Sequence, residues 1–203
     1  MILWNYDLDD MCYRVRLMAA LAGTPLTIRS VDMFPGREHR GPAMLALNPR
    51  GTLPVLQDGA VTLTQPGAIL RHVAASSDRG RAFLPDTPAA DEWLWFALTD
   101  AAVATPARLA SVLAAPGDAD ALARAARDAL RLADDHLTRQ GFAGAGFLAG
   151  ARATLADVAL FPAFALSRDY GVDHDGFPAL RAWARRLRAL QGFIAMPGIP
   201  DYH

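Results

Sequence analysis

Apolar residues in the first part of the chain alternate between strand-like runs and helical spacing. Met1–Asn5 and Leu26–Met33 are typical of short strands. Met11–Ala22 has apolar residues at helical intervals and is followed by Gly23, a common stop signal. Ala43–Leu47 predicts a second, short helix. The chain therefore begins as strand, helix, strand, helix.

A hairpin and a third helix follow. Pro54–Gln57 and Ala60–Leu63 predict two strands joined at Asp58-Gly59, because glycine tolerates the positive φ of a tight hairpin turn. Gly67–Ala75 predicts a helix with Pro66 in its first turn, where a missing N–H costs nothing. One small α/β layer fits this order of elements.

Every later periodic segment is helical. The polar stretch Ser76–Pro88 indicates a linker. After it, helices are predicted over Ala89–Leu113, Ala119–Arg139, Leu155–Ser167 and Ala179–Leu190. Because strand signals stop, we expect an α/β domain over residues 1–77, a linker over 78–88 and an all-helical domain over 89–203.

One helix start in the second domain has a recognisable pattern. Thr154-Leu155-Ala156-Asp157 predicts a capping box, in which the Thr154 hydroxyl and the Asp157 carboxylate each accept a backbone N–H. By itself this pattern predicts a helix start and no function.

Composition and charge exclude several classes of protein. Of 203 residues, 52% are hydrophobic and 20% are charged, which excludes a disordered chain. The formal net charge of −1 provides no overall attraction to nucleic acid, so we expect no nucleic-acid partner. All 20 cationic residues are arginine, so lysine Schiff-base chemistry is excluded and anion binding falls to Arg, His or backbone amides.

The cysteine content and the N-terminus indicate a cytoplasmic protein. Cys12 is the single cysteine, so no intramolecular disulfide can form and a reducing compartment is expected. The N-terminus lacks the pattern of a signal peptide. No apolar run approaches ~18 residues, so we expect no membrane span.

Four stretches, taken together, resemble the cytosolic glutathione transferase family. They are Cys12–Leu17, Ala46–Leu56, Thr64–Leu70 and Thr154–Ala159, and their order and spacing match across nearly the whole chain. The resemblance implies a thioredoxin-like N-terminal domain followed by a helical bundle. It also implies glutathione as co-substrate, no metal, a small electrophile as second substrate, and a homodimer.

The resemblance places a glutathione site in the first domain. It implies a cis peptide bond before Pro54, with Leu53 offering its backbone N–H and C=O to the cysteinyl part of glutathione and Thr52 beside it. His39 stands where some classes bind the glycyl carboxylate, and Arg40 is next to it. The alternative for these two is that they are solvated charges on a loop.

The γ-glutamyl end is where the sequence departs from the family. Gln65 matches the acidic or Gln residue that holds this end, but Pro66 replaces the usual Ser. Proline supplies neither a hydroxyl nor an N–H. Each lost hydrogen bond to a charged group costs about 1.5–3 kcal/mol, so weaker glutathione binding is expected unless an Arg compensates.

The catalytic position departs as well. Asp9 falls where the family places Ser or Cys beside the thiol, and a carboxylate there raises a thiol pKa. Tyr6 matches a tyrosine near the thiol in one bacterial class and is the remaining donor; its alternative is an aromatic at the edge of the core. The N-terminus of the first helix, near Asp10–Cys12, can also lower a thiol pKa through its N–H groups.

The neighbouring side chains leave two questions open. Asp9 and Asp10 can act as a general base or bind a cation, or Asp9 can simply cap the helix, which is the simpler interpretation. Cys12 is either structural, as a cysteine on an amphipathic helix usually is, or reactive.

In this fold the electrophile binds between the domains, against the first loop and the helix after the linker. Thr99 and Asp100 are the candidates on that helix. Asp100 can instead reach the glutathione amine of a partner subunit, as acidic groups on this helix do in some classes.

The leading prediction is a transferase that joins glutathione to a small electrophile. A non-catalytic member that binds a ligand or a protein is the first alternative, and Asp9 and Pro66 favour it. A glutathione-dependent isomerase of the zeta type is the second, suggested by Cys12–Arg16 and Gln65. A transferase forms conjugates, whereas an isomerase forms isomers.

Overall fold

The computed structural model describes residues 1–202 of the chain. It divides into unit 1, Met1–Ala82, and unit 2, which begins at Phe83. Each unit has its own buried residues and is described by itself.

Unit 1 is built on a four-stranded sheet in the order β2-β1-β3-β4. β1 and β2 are parallel and are connected through the helix Asp10–Ala22; β1 and β3, and β3 and β4, are antiparallel. The strands are β1 (Ile2–Asn5), β2 (Thr27–Ser30), β3 (Val55–Asp58) and β4 (Val61–Leu63).

Two strand predictions shift by a few residues. β2 is shorter than the predicted Leu26–Met33, because it pairs only with the four residues of β1, from Ile2↔Thr27 to Asn5↔Ser30. The hairpin turn is Gly59-Ala60, one residue later than predicted, since Asp58 still pairs with Val61. Gly59 has a φ of 57°, as the tight turn requires.

Four helices complete unit 1: α1 (Asp10–Ala22), α2 (Pro42–Leu47), α3 (Pro66–Ala75) and α4 (Asp78–Arg81). α4 lies inside 78–88, the stretch interpreted as a linker from its polar composition. It packs closely on α3, because a Cβ at Gly80 would lie 2.3 Å from the Ala74 carbonyl oxygen. Only glycine allows this approach, which places α4 in the first unit.

A cluster of buried side chains joins the sheet to α1 and α2. Partly buried side chains that pack against this cluster include Trp4, which is in β1, and Tyr6, which follows β1. The buried members are Cys12, Val31, Met44, Leu53 and Val55. The segments that the sequence analysis assigns to the glutathione site are therefore positioned by one small core.

Unit 2 contains α5 (Pro88–Leu98), α6 (Ala104–Leu113), α7 (Ala119–Phe142), α8 (Leu155–Ala165) and α9 (Pro178–Arg188). All 11 residues of α8 are buried, so α8 is the central helix of this unit. The predicted capping box is confirmed at its start. Asp157 also accepts hydrogen bonds from the Leu148 N–H at 3.0 Å and from Trp183 Nε1 at 2.8 Å.

The prediction of one helix over Ala89–Leu113 was wrong. The structure has α5 and α6 with a short 3₁₀ turn, Ala101–Val103, between them. At the break, Thr99 Oγ1 lies 2.8 Å from the Trp95 carbonyl oxygen. A threonine hydroxyl that bonds to the carbonyl four residues earlier bends a helix, and hydrophobic spacing does not reveal that bond.

By length and composition alone, the helical stretch Pro88–Leu113 passes a test for a membrane span. It has 26 residues, and its most apolar window has a mean hydropathy of 1.2. The expectation of no span considered only uninterrupted apolar runs and did not find this stretch. A single such helix is weak support for a span, because core helices of soluble proteins pass the same test.

Candidate functional site

The backbone of Leu53 is available to form hydrogen bonds with a ligand. The Leu53–Pro54 peptide bond is cis, as the resemblance implies. Asn48 Nδ2 holds the preceding residue, donating to the Thr52 carbonyl oxygen at 2.7 Å and to Thr52 Oγ1 at 3.0 Å. Within residues 1–202 neither the N–H nor the C=O of Leu53 has a hydrogen-bond partner. This backbone can pair with an extended peptide as a strand does.

The N-terminus of α3 offers two backbone donors. Gln65 is the exposed N-cap residue and makes no capping hydrogen bond, and Pro66 is the first helical residue. The Gly67 and Ala68 N–H groups have no partner among the residues that the structure describes. Although Pro66 lacks a donor, the next two residues keep theirs, and a helix N-terminus favours an anion.

Arg50 brings a positive charge to the same segment. Its Nη2 donates to Thr64 Oγ1 at 2.7 Å and to the Thr64 carbonyl oxygen at 3.2 Å, directly before Gln65. Arg50 lies within the turn that follows α2, where its N–H donates to Asn48 Oδ1 at 3.2 Å. The sequence analysis quoted Arg50 only as part of a motif and did not identify this contact, which spans 14 positions.

His39 and Arg40 lie on a short 3₁₀ turn, Glu38–Arg40. His39 is buried, and burial, with the charges of Arg40 and Arg37, lowers its pKa. The ring is therefore uncharged at neutral pH and can act as a hydrogen-bond donor or acceptor. Arg40 is exposed. Their role as ligands of a carboxylate stays a prediction.

Asp9 is the N-cap of α1, which confirms the simpler interpretation of this residue. Its Oδ1 accepts a hydrogen bond from the Cys12 N–H at 2.6 Å. Burial, and then the charge of Asp10, raise the pKa of Asp9 to about 6. Asp9 thus occupies one of the N–H groups that would otherwise stabilise a thiolate, and it is ionised at neutral pH.

Replacing Asp9 by Asn is expected to change how stability depends on pH. The folded pKa near 6 exceeds the ordinary value of 3.8, so between these values the folded protein binds more protons than the unfolded chain. Asp9 therefore favours folding below about pH 4 and loses that contribution as the pH rises through 6. Relative to Asp9→Asn, the natural protein should lose about 2 kcal/mol of unfolding free energy between pH 4 and pH 8, because the unfolded chain is already partly ionised at pH 4.

Denaturant unfolding at a series of pH values measures this difference. Asn also caps helices well, so the variant keeps the hydrogen bond to α1. Asp128→Asn, at an exposed position on α7, is the matched control and should leave the pH profile unchanged. Parallel profiles for the natural protein and Asp9→Asn would show that Asp9 titrates normally.

Arg14 is completely buried beside this cap. Its Nη2 lies 3.5 Å from Asp10 Oδ2, while its Nε and Nη1 have no hydrogen-bond partner. Burial lowers the pKa of Arg14. Because Asp10 is paired with Arg14, it is poorly suited to the general-base role that the sequence left open. Among residues 1–202, no group of three potential metal-binding side chains is found.

Cys12 lies in the core, where its thiol does not contact solvent. Burial, and then the charge of Asp9, raise the pKa of its thiol well above the usual value. Because the thiolate is the reactive form, this environment agrees with a structural role.

Tyr6 follows β1 and is half-buried. It packs against the cluster around Cys12 and lines an open pocket of about 320 Å³. The position of Tyr6 is compatible with both interpretations, because the residue packs at the edge of the core and also lines the pocket. As a thiol donor it stays a prediction.

Comparisons with known proteins match a separate family model to part of each of the two units. The family model for the glutathione S-transferase N-terminal domain matches residues 11–76, and that for the C-terminal domain matches residues 116–186. The maleylacetoacetate isomerase of Rhizobium meliloti is 32% identical over 202 residues, which cover 95% of this chain and 93% of the relative. The chain belongs to the glutathione S-transferase family. Its thioredoxin-like N-terminal domain and helical C-terminal domain are thereby confirmed.

Solved structures of this family superpose on the chain. A possible glutathione S-transferase from Rhodopseudomonas palustris has 27% identity and a TM-score of 0.84, covering 98% of this chain and 90% of its own. A glutathione transferase homologue from Lodderomyces elongisporus, solved with two glutathione molecules per subunit, has 24% identity and a TM-score of 0.81, with 94% of each chain covered. The second likeness concerns the fold alone. The relatives agree with both the predicted transferase and the isomerase alternative.

In this family member, Thr99 and Asp100 lie in unit 2, on a groove of about 610 Å³ between α5 and α7. Thr99 Oγ1 lies 2.8 Å from Asp100 Oδ2 as well as from the Trp95 carbonyl oxygen, so its hydroxyl is already engaged. Trp95 is 63% exposed and Leu132 is 60% exposed. Large apolar side chains exposed on one groove indicate a contact surface.

Proposed function

We propose that the chain is a glutathione transferase that joins glutathione to a small electrophile. The unpaired N–H and C=O of Leu53, beside the cis bond to Pro54, carry this proposal. A tripeptide laid along this segment gains two backbone hydrogen bonds in the manner of an added strand. The single cysteine and its burial agree with work in a cytoplasmic, reducing environment.

Two further segments would hold the ends of glutathione. The Gly67 and Ala68 N–H groups receive the γ-glutamyl carboxylate, while the exposed Gln65 contacts the same end. Arg50, held by Thr64, supplies the positive charge that offsets the donors missing at Pro66. His39 and Arg40 lie on the segment proposed for the glycyl carboxylate.

The chemistry then needs a glutathione thiolate. A free thiol of pKa about 8.5 is mostly protonated at neutral pH, and a hydroxyl that donates to the sulfur lowers that pKa. Tyr6 is the proposed donor, and the ionised Asp9 opposes it. The thiolate sulfur forms a bond to an electrophilic carbon. In a substitution the leaving group departs with its bonding electrons, and in an addition the π electrons move to the neighbouring atom, which takes a proton from solvent. Holding both substrates together supplies much of the rate.

Calorimetric titration with reduced glutathione tests the proposal. The natural protein should bind with a Kd below about 1 mM, which corresponds to about −4 kcal/mol. Arg50→Gln should weaken binding about tenfold or more, since a charge-assisted hydrogen bond is worth about 1.5–3 kcal/mol. Pro66→Ser restores the family's donors and should tighten binding about tenfold or more. Arg124→Gln, an exposed arginine on α7, is the matched control.

Absence of binding to the natural protein, with binding to Pro66→Ser, would overturn the transferase proposal. That result would favour the non-catalytic alternative, in which the fold is kept and the site is incomplete.

An isomerase of the zeta type is the second candidate. The 32% identity to the Rhizobium meliloti maleylacetoacetate isomerase over nearly the whole chain favours it. Product analysis separates the two candidates. A transferase consumes glutathione and forms a conjugate, whereas an isomerase returns glutathione unchanged and forms an isomer of its substrate.

We also propose that two copies of the chain associate through the groove between α5 and α7. Its exposed apolar residues are accompanied by Glu92, Asp100 and Arg139, so acidic and basic groups can pair across a two-fold axis. Asp100 would then lie at the contact, close to its alternative role toward a partner subunit.

Light scattering tests the dimer. The natural protein should have the mass of a dimer, and Trp95→Glu or Leu132→Glu should have the mass of a monomer, because a buried unpaired carboxylate is costly. Phe142→Glu is the control, since Phe142 is 90% exposed and does not line the groove. A natural protein that is monomeric at micromolar concentration would contradict the proposal.

A further inference from the structure

An open pocket lies where β1 and β2 end, at the residues that follow each strand. Its volume is about 320 Å³, within the range of sites for small ligands. Tyr6, the proposed thiol donor, is part of its lining, together with Ser30 at the end of β2. None of the conjugation chemistry described above uses the other groups in this pocket.

A buried acceptor in the lining has no donor. Asn5 is only 1% exposed, and its Nδ2 donates to Asp7 Oδ1 at 2.8 Å, which sets the orientation of the amide. The remaining atom, Oδ1, is buried and has no hydrogen-bond partner. A buried acceptor left unpaired costs about 1–3 kcal/mol. This pocket therefore favours a ligand that brings a hydrogen-bond donor.

The charge of the lining is negative. It includes Asp7 and Asp32 and contains no cationic side chain. Asp7 is paired with Arg16 at 3.2 Å, so Asp32 provides the main charge. Asp32 Oδ1 accepts the Gly36 N–H at 3.1 Å, and a Cβ at Gly36 would lie 2.5 Å from Asp32 Oδ2. The missing side chain at Gly36 thus allows the carboxylate to be held by the loop.

Aromatic side chains complete the lining. Phe34 is 44% exposed although it is large and apolar, and Tyr6 is half-buried. An organic cation gains from the face of an aromatic ring as well as from a carboxylate. Carboxylate ligands would be repelled by Asp32, and a neutral ligand would gain only the hydrogen bonds.

We propose that this pocket binds a small organic ammonium group, with Asn5 Oδ1 and Asp32 accepting its hydrogens and Phe34 packing on its apolar part. Because Tyr6 lines the same pocket, the group bound there is the cationic end of the second substrate. This last role rests on the proposed transferase function, whereas ammonium binding does not.

Titration of the whole chain with three probes, in the absence of glutathione, tests the proposal. Benzylammonium, benzyl alcohol and benzoate share one ring and differ in charge. Followed by amide chemical shifts, benzylammonium should bind at least tenfold tighter than benzyl alcohol, and benzoate should not bind. Asp32→Asn should abolish the preference for the ammonium while keeping the bond to the Gly36 N–H, and Phe34→Leu should weaken benzylammonium binding several-fold.

A control variant tests the ammonium site itself, and the titration with glutathione tests the role of that site in transfer. Asp128→Asn removes an exposed carboxylate elsewhere and should leave all three affinities unchanged. Equal affinities for ammonium and alcohol, or a preference that survives Asp32→Asn, would overturn the ammonium site. Ammonium binding to a protein that does not bind glutathione would support the site and overturn its role in transfer.

Discussion

Asp157→Ala is expected to lower the free energy of unfolding by about 3–5 kcal/mol, because three buried N–H donors lose their acceptor and each unpaired donor costs about 1–3 kcal/mol. Asp157 is fully buried, and its burial raises its pKa. Its oxygens accept the Thr154 and Leu148 N–H groups and Trp183 Nε1–H at 2.8 to 3.0 Å. Without the carboxylate these donors remain buried and unpaired, and the start of α8 loses the Asp157 half of its capping box.

Chemical denaturation of three variants measures this effect. Asp157→Asn keeps one acceptor oxygen and should lose less than Asp157→Ala. Asp128→Ala, on the exposed face of α7, should change the unfolding free energy by less than about 0.5 kcal/mol. A loss below about 1 kcal/mol in Asp157→Ala would mean that solvent or a neighbouring group replaces the carboxylate.

Tyr6→Phe is expected to lower kcat/KM for conjugation about a hundredfold, the usual effect of removing one donor to a developing anion. The ring still fills the edge of the core, so stability and the Kd for glutathione should change little. The pKa of the bound glutathione thiol should rise, because the thiolate loses its hydrogen bond.

Ultraviolet titration of the thiolate in the complex, together with steady-state kinetics, checks this prediction. Tyr170→Phe is the control, since the Tyr170 hydroxyl donates to the Ala163 carbonyl oxygen in unit 2 and has no role in the proposed chemistry. Unchanged kinetics and thiol pKa in Tyr6→Phe would assign activation of the thiol to the N-terminus of α1.

Periodicity was sufficient to predict the order of the four strands and of most helices, but not α4, the break between α5 and α6, or where every element ends. Spacing predicts most strands of unit 1 and most helices of unit 2, although β2 is exposed at all of its residues and α8 is buried at all of its residues. The break near Thr99 depends on one hydroxyl and one carbonyl, and the length of β2 depends on the length of its partner. Neither is encoded in the pattern of apolar positions.

The candidate site was predicted where the family motif or general capping preferences include it. The resemblance led to the cis bond at Leu53–Pro54, and general capping preferences led to Asp9 as an N-cap. The contact from Arg50 to Thr64 and the unpaired Asn5 Oδ1 could not be predicted, because both depend on segments that meet only in the folded chain. A guanidinium near a helix start or an amide at a strand end has no distinctive sequence signal.

The burial of Cys12 affects how readily an electrophilic substrate would modify the protein itself. Electrophiles alkylate thiolates and lysine amines most readily, yet the only thiol here is 0% exposed with a raised pKa, and the sequence contains no lysine. A reactive compound entering the protein thus meets few side chains that it can modify. The glutathione sulfur would be the softest nucleophile within its reach, so self-inactivation should be slow.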